Sequence, residues 1–124
     1  MATDLERALD AKQAPWTSIE YRTKDFWVFR DAYPVTEGHL LFVPTSLEGA
    51  SLWECYKAAY KFGFDGIQSD KWHAFNVGQN VGEAAGQTVM YPHIHMIPRR
   101  VGDMKDPRGG VRHVIPEKGN YKNG

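Results

Sequence analysis

Apolar positions fall at two spacings along the chain, and the switches between them divide it into elements. Leu5, Ala8 and Leu9 recur at helical spacing within residues 4–12, which predicts a short amphipathic helix stopped near Pro15. In residues 16–22 the pattern changes to alternation, with Ile19 and Tyr21 set against Glu20 and Arg22, as in a half-buried strand. A turn at Lys24 and Asp25 leads to a second, more buried strand over residues 26–30, broken by the run from Asp31 to Pro34. Residues 38–43 read as a third strand closed by Pro44. Leu52, Cys55, Ala59 and Phe62 then recur at 3-4-3 spacing, which predicts a main helix over residues 51–68 with one face on a sheet. Gly63 and Gly66 are expected to weaken its last turns. A fourth strand is expected over residues 72–77, a loop or single helical turn over 80–86, and a fifth strand over 88–98. Residues 99–124, rich in Gly, Pro and charge, are expected to form an ordered but irregular tail.

Strands outnumber helices and short turns join them, so the expected fold class is α+β, with a five-stranded, mostly antiparallel sheet and one main helix. The 124 residues fit one domain, 1–124, with a core over about residues 15–100 and a tail over 101–124. No internal repeat interrupts it. The aromatic residues supply enough apolar area to exclude wholesale disorder. No apolar run approaches the roughly 20 residues of a membrane span, and the first residues carry no secretory signal. A single cysteine, Cys55, excludes an internal disulfide and points to a reducing, cytoplasmic setting, with the thiol buried and inert on the main helix.

Formal net charge is zero, which argues against a dedicated nucleic-acid binder and leaves room for a small anionic substrate. The balance is local rather than uniform. From residue 99 onward Arg99, Arg100, Lys105, Arg108, Arg112, Lys118 and Lys122 outnumber Asp103, Asp106 and Glu117.

The chemistry concentrates in residues 86–99. His93 and His95 lie two apart on the expected fifth strand and so share one face, and Tyr91 would share it too. Ile94 and Met96 would point into the core. Backbone N–H groups at Gly82 and Gly86, with the Gln87 amide, are candidates to cradle a phosphate, and His39 is a candidate to reach the same place from the third strand. An imidazole beside phosphate donors suits phosphoryl or nucleotidyl transfer. The bland alternative is a pair of surface histidines. A metal enzyme using His-x-His on a strand would need a nearby carboxylate, and none follows before Asp103. His73 reads as a surface residue and His113 as a solvated one. Arg108 and Arg112 could clamp a polyphosphate or make chain contacts.

The stretch Tyr91-Pro-His93-Ile-His95-Met-Ile97 resembles the His-φ-His-φ-His-φφ signature of the histidine-triad (HIT) family of nucleotide hydrolases and transferases, φ being apolar. The lead-in Asn80-x-Gly82-x-x-Ala85-Gly86-Gln87-Thr88 and the stretch over residues 38–44 resemble the same family, and Asp31 falls where the family holds a ribose-binding Asp or Asn.

The resemblance implies a HIT-like fold and a set of roles. His93 would attack the α-phosphorus of a nucleotide, with a backbone carbonyl holding its other ring N–H. His95 would hydrogen-bond a phosphate oxygen or the leaving group. Asn80, Gln87 and Thr88 would contact phosphate, Asp31 the ribose, and His39 and Tyr91 would support the triad. The substrate would be a dinucleoside polyphosphate or a nucleoside phosphoramidate, the assembly a homodimer through residues 51–80, and no metal or other cofactor would take part. Tyr91 departs from the signature, since a phenol cannot share a proton near neutrality. A non-catalytic or weakly catalytic nucleotide-binding protein is therefore the alternative. Histidine, being smaller, is expected to fit at position 91 without disturbing the fold.

Overall fold

The computed structural model describes residues 1–120. Residues 121–124, Lys122 among them, lie outside the described residues. The chain opens with α1 (Asp4–Asp10), whose first turn is closed by a reciprocal pair: the Glu6 N–H donates to Thr3 Oγ1 and the Thr3 N–H to Glu6 Oε1. There follow β1 (Ile19–Arg22), β2 (Phe26–Arg30), β3 (Leu40–Pro44), the 20-residue helix α2 (Gly49–Gln68), β4 (Ala74–Gly78) and β5 (Ile94–Arg99). The five strands form one antiparallel sheet in the order β1-β2-β3-β5-β4. The expected α+β class and its single main helix are what the chain adopts.

Alternation sorts the side chains onto two faces. Val28, Phe42, Ile94 and Met96 point toward α2, where they pack with Cys55 and Ala59. Phe29, Leu41 and Val43 point the other way and meet Leu5 and Ala8 of α1, together with Tyr91. Register places His95 opposite both Leu41 and Gly78, on the face away from α2. That face is covered by α1 over β2 and β3, while residues 104–114 wall a cavity over β4 and β5. The histidines sit between these two covers.

Four expectations need correction. The fifth strand starts at Ile94 rather than at residue 88. Pro92 lacks an N–H for a ladder, and the Gln87 side chain holds the preceding segment in an arch by donating to the Val89 and Met90 carbonyls. The first strand is not half-buried: all four of its residues are exposed. It is an edge strand with a register shift between Ile19 and Tyr21, although the Tyr21 ring still reaches Phe26 and Phe62.

Gly63 and Gly66 do not fray α2. They admit aromatic rings from the following segment. A Cβ at Gly63 would lie 2.5 Å from the Phe75 ring, and one at Gly66 would lie 1.9 Å from Trp72. The Trp72 indole N–H donates to the Gly63 carbonyl at 2.8 Å, locking helix and strand at close approach.

The tail is more regular than expected, with a 3-10 turn over Gly110–Val114 and a short helix, α3 (Pro116–Gly119). It is tied back at its root. Arg99 makes two bonds to the Asp103 carboxylate at 2.9 and 3.0 Å and a third to Asn76 Oδ1 at 2.8 Å. The guanidinium holds the Asp103 carboxyl down at about 2.

Candidate active site

Two of the site's three histidines, His93 and His39, each have one ring nitrogen fixed by the backbone, and the third, His95, is fixed by the ring of His39. His93 Nδ1 lies 2.8 Å from the Tyr91 carbonyl oxygen. A carbonyl only accepts, so Nδ1 carries the proton and Nε2 presents a lone pair. This is the tautomer a nucleophile requires. The ring is held from one side by the indole of Trp16, in an edge-on contact with centroids 4.9 Å apart. The His95 ring stands 5.3 Å away.

His39 is fixed in the opposite sense. The Val35 N–H donates to its Nδ1 at 3.1 Å, so the neutral ring carries its proton on Nε2. That N–H points at His95 Nδ1, 2.9 Å away. His95 accepts there and keeps its own proton on Nε2, which makes it a hydrogen-bond donor toward a ligand. Gly38, at φ +92°, makes the tight entry to β3 that delivers His39 to this position. Asp31 Oδ2 lies 3.4 Å from His39 Nε2, and its Oδ1 accepts from the Tyr33 N–H. Burial pushes the His95 pKa down to about 4, with the neighbouring His39 and His93 adding to the effect and Asp31 opposing it. Burial lowers His39 as well, again opposed by Asp31. Both groups therefore bind protons more readily in the unfolded chain. Their contribution to stability is complete above the unfolded histidine value and is lost as pH falls below it, for His95 toward about 4.

Asp31, His39 and His95 bring ligand atoms within 4.8 Å of one another, close enough to hold a metal ion. The tautomer argues for a different use. A coordinating imidazole commonly donates its other ring N–H to a partner, whereas His39 Nδ1 receives one and Nε2 keeps its proton. The three groups fit a hydrogen-bonded chain rather than a donor set of lone pairs.

The structure brings Asp31, His39, His93 and His95 together, with Asn80 lining the same cavity as His39 and His95. Other expected residues are differently employed. Gln87 spends its side chain inside its own loop, with Oε1 accepting from the Gly82 N–H and Nε2 donating to two carbonyls. The Gly86 N–H likewise goes to the Glu83 carbonyl, so the loop does not offer the glycine N–H groups as a phosphate cradle. Thr88 is exposed beside this arch. His113 is half-buried rather than solvated, lines the cavity, and its Nε2 lies 2.9 Å from the Arg108 carbonyl oxygen. His73 is exposed, as expected, and its Nδ1 accepts from the Val101 N–H. Trp16 and the backbone of Val35 are site elements that sequence reasoning missed, since neither carries a chemical motif.

Tyr91 is no surrogate for a third imidazole. Its ring is buried in the α1 cluster and its hydroxyl donates to the Pro44 carbonyl at 2.7 Å. Burial raises its pKa further. Tyr91→His is therefore expected to destabilise the fold by about 2 kcal/mol, because the shorter side chain leaves both a gap and a buried unpaired carbonyl. Urea midpoints of the two proteins check this, and an unchanged midpoint would contradict it.

Comparison with known proteins agrees with this geometry. The HIT domain family model matches residues 12–102. The chain is 35% identical over 104 residues to the nitrilase and fragile histidine triad fusion protein of Caenorhabditis elegans, covering 74% of this chain and 22% of that protein. It is 29% identical over 97 residues to the asymmetrical bis(5'-nucleosyl)-tetraphosphatase of Schizosaccharomyces pombe, covering 73% of this chain and 53% of that one. Against these relatives the chain spans between about a fifth and about half of their length. Among solved structures, a zinc-bound histidine triad family protein from Mycobacterium smegmatis superimposes with a TM-score of 0.67 at 25% identity, covering 80% of this chain and 76% of that one. With the fold, the paired histidines and the family match in agreement, the chain belongs to the HIT domain family.

Proposed function

We propose that the protein hydrolyses a nucleotide at its α-phosphate, the substrate being a dinucleoside polyphosphate or a nucleoside phosphoramidate. The observation that carries this reading is the fixed tautomer of His93, whose Nε2 lone pair is presented beside a donating His95. Relatives named as a tetraphosphatase and as an adenosine 5'-monophosphoramidase support the same chemistry. In the first step Nε2 attacks phosphorus, the Nε2–P bond forms and the bond to the leaving group breaks. The leaving group carries off the electron pair and takes its proton from solvent. The His95 Nε2–H bonds a phosphate oxygen or the departing atom. Water then attacks phosphorus and gives up a proton to solvent, the Nε2–P bond breaks with its electron pair returning to Nε2, and the nucleoside monophosphate leaves with the His93 lone pair restored. Asp31 is assigned to the ribose and Asn80 and Thr88 to phosphate oxygens, with Gln87 shaping the loop between them. Intact-mass analysis of protein quenched during turnover tests the reading. A mass increase of one nucleoside monophosphate residue is expected. Nucleotide binding with neither adduct nor product would favour the non-catalytic alternative, to which the structural use of the Tyr91 hydroxyl lends weight.

The working unit is proposed to be a homodimer. β4 is an edge strand, and Trp53, Tyr60 and Phe64 are exposed along the adjacent outer surface of α2. Tyr60 and Phe64 meet Phe75 of β4 edge-to-face, so helix and edge form one apolar strip. A symmetric contact across this strip would cover both. Light scattering at micromolar concentration should give twice the 14.1 kDa chain mass, and a monomeric mass would refute the assignment.

A further inference from the structure

The 2.9 Å contact between His39 Nε2 and His95 Nδ1 is satisfied in either direction, because either nitrogen can carry the shared proton. The direction is chosen in the loop over residues 31–38. The Val35 N–H donates to His39 Nδ1 at 3.1 Å and so leaves the proton to Nε2. The Asp31 carboxylate favours the same direction from 3.4 Å, beyond good hydrogen-bond range. Reversal would move the His95 proton to Nδ1 and turn its Nε2 from a donor into a lone pair, facing the oxygens of a phosphate.

Little packing holds this loop. Ala32, Tyr33, Pro34, Val35 and Glu37 are exposed, and none belongs to either core cluster. The Asp31 N–H donates to the His39 carbonyl at 3.1 Å, and the Tyr33 N–H to Asp31 Oδ1 at 2.8 Å. Those bonds lie within the loop and its base. Thr36 and Glu37 tie it to the rest of the chain. Thr36 Oγ1 donates to the Pro98 carbonyl at 2.6 Å, and the Arg100 guanidinium to the Glu37 carbonyl at 2.9 Å. Pro98 is in β5 and Arg100 directly follows it, so the loop hangs on the strand that carries His95. Gly38 permits the approach, since a Cβ there would stand 3.2 Å from the Pro98 ring.

We propose that Thr36 and Arg100 are positioning residues for the transfer step: by clamping the loop to β5 they fix the proton order of the His39–His95 pair and keep His95 a donor toward phosphate. The assignment rests on the hydrolase reading above. Neither side chain acts on the reacting atoms itself.

Thr36→Val removes the hydroxyl and keeps the shape, whereas Thr36→Ser keeps the hydroxyl. In the full chain carrying 15N-labelled histidine, ring nitrogen shifts at mildly alkaline pH report which nitrogen of each neutral imidazole is protonated. The parent and Thr36→Ser should show both His39 and His95 with the proton on Nε2. Thr36→Val should show an Nδ1–H fraction in both rings, because reversal moves the two together. Turnover of a nucleoside phosphoramidate by this variant should fall about tenfold in kcat, with KM changed less than about twofold. That is part of the roughly 100- to 1,000-fold cost of losing such a donor outright. Arg100→Gln should shift the rings in the same sense.

A merely structural role would lower the urea midpoint and leave the ring shifts where they were. Unchanged shifts in both Thr36→Val and Arg100→Gln would therefore overturn the assignment. So would shifted rings with an unaltered kcat in an active protein. If the parent hydrolyses no nucleotide, the hydrolase reading fails by itself, and the ring shifts still decide whether the clamp sets the proton order.

Discussion

Replacing His93 with alanine is expected to lower turnover by at least about 10,000-fold, because the covalent route is removed rather than slowed. Nothing nearby can substitute. His95 presents an N–H rather than a lone pair, since its Nδ1 is occupied by His39. The Tyr91 hydroxyl is buried against Pro44. The fold should survive, because His93 lies before β5 and gives up one hydrogen bond, to a backbone carbonyl, along with its Trp16 contact. Nucleotide affinity, measured by calorimetry with a non-hydrolysed analogue, should change little, while the mass adduct disappears. Near-parental turnover in this variant would remove His93 from the mechanism.

Gly66→Ala is expected to destabilise the protein by about 3 kcal/mol, near the upper end of the usual cost of overpacking. Helix propensity alone predicts the opposite sign, a gain of about 1 kcal/mol for alanine over glycine inside a helix. Packing prevails here because the new methyl would sit 1.9 Å from one Trp72 ring atom and 2.0 Å from another. The ring cannot step aside while its N–H is bonded to the Gly63 carbonyl. Urea denaturation monitored by circular dichroism decides between the two signs, and a raised midpoint would show that the indole relocates at little cost.

That contrast shows where the sequence stopped being readable. Phe26–Arg30 was legible as a short apolar run buried on both faces, and the helical stripe of Leu52, Cys55, Ala59 and Phe62 because it follows a single period against a single buried face. The shared face of His93 and His95, and the convergence of His39, followed from the same rule together with the family motif. Gly63 and Gly66 were misread because their reason lies in Trp72 and Phe75, which reach them only once β4 has folded back. The arch over residues 87–93 was misread as strand because alternation does not reveal that Gln87 would bond its own neighbours' carbonyls. Tyr91 looked like a variant of a catalytic position for a similar reason: its acceptor, the Pro44 carbonyl, is 47 residues away in the chain.

The edge-on contact of Trp16 with His93 gives the protein a built-in optical signal. In the proposed mechanism attack on phosphorus would turn the ring into a substituted imidazolium, and a cationic imidazole quenches the emission of an adjacent indole. Formation and decay of the intermediate would then be written into the fluorescence of residue 16 itself. The natural chain could be followed through a single turnover with an unlabelled nucleotide, and a Trp16→Phe chain should lose the change.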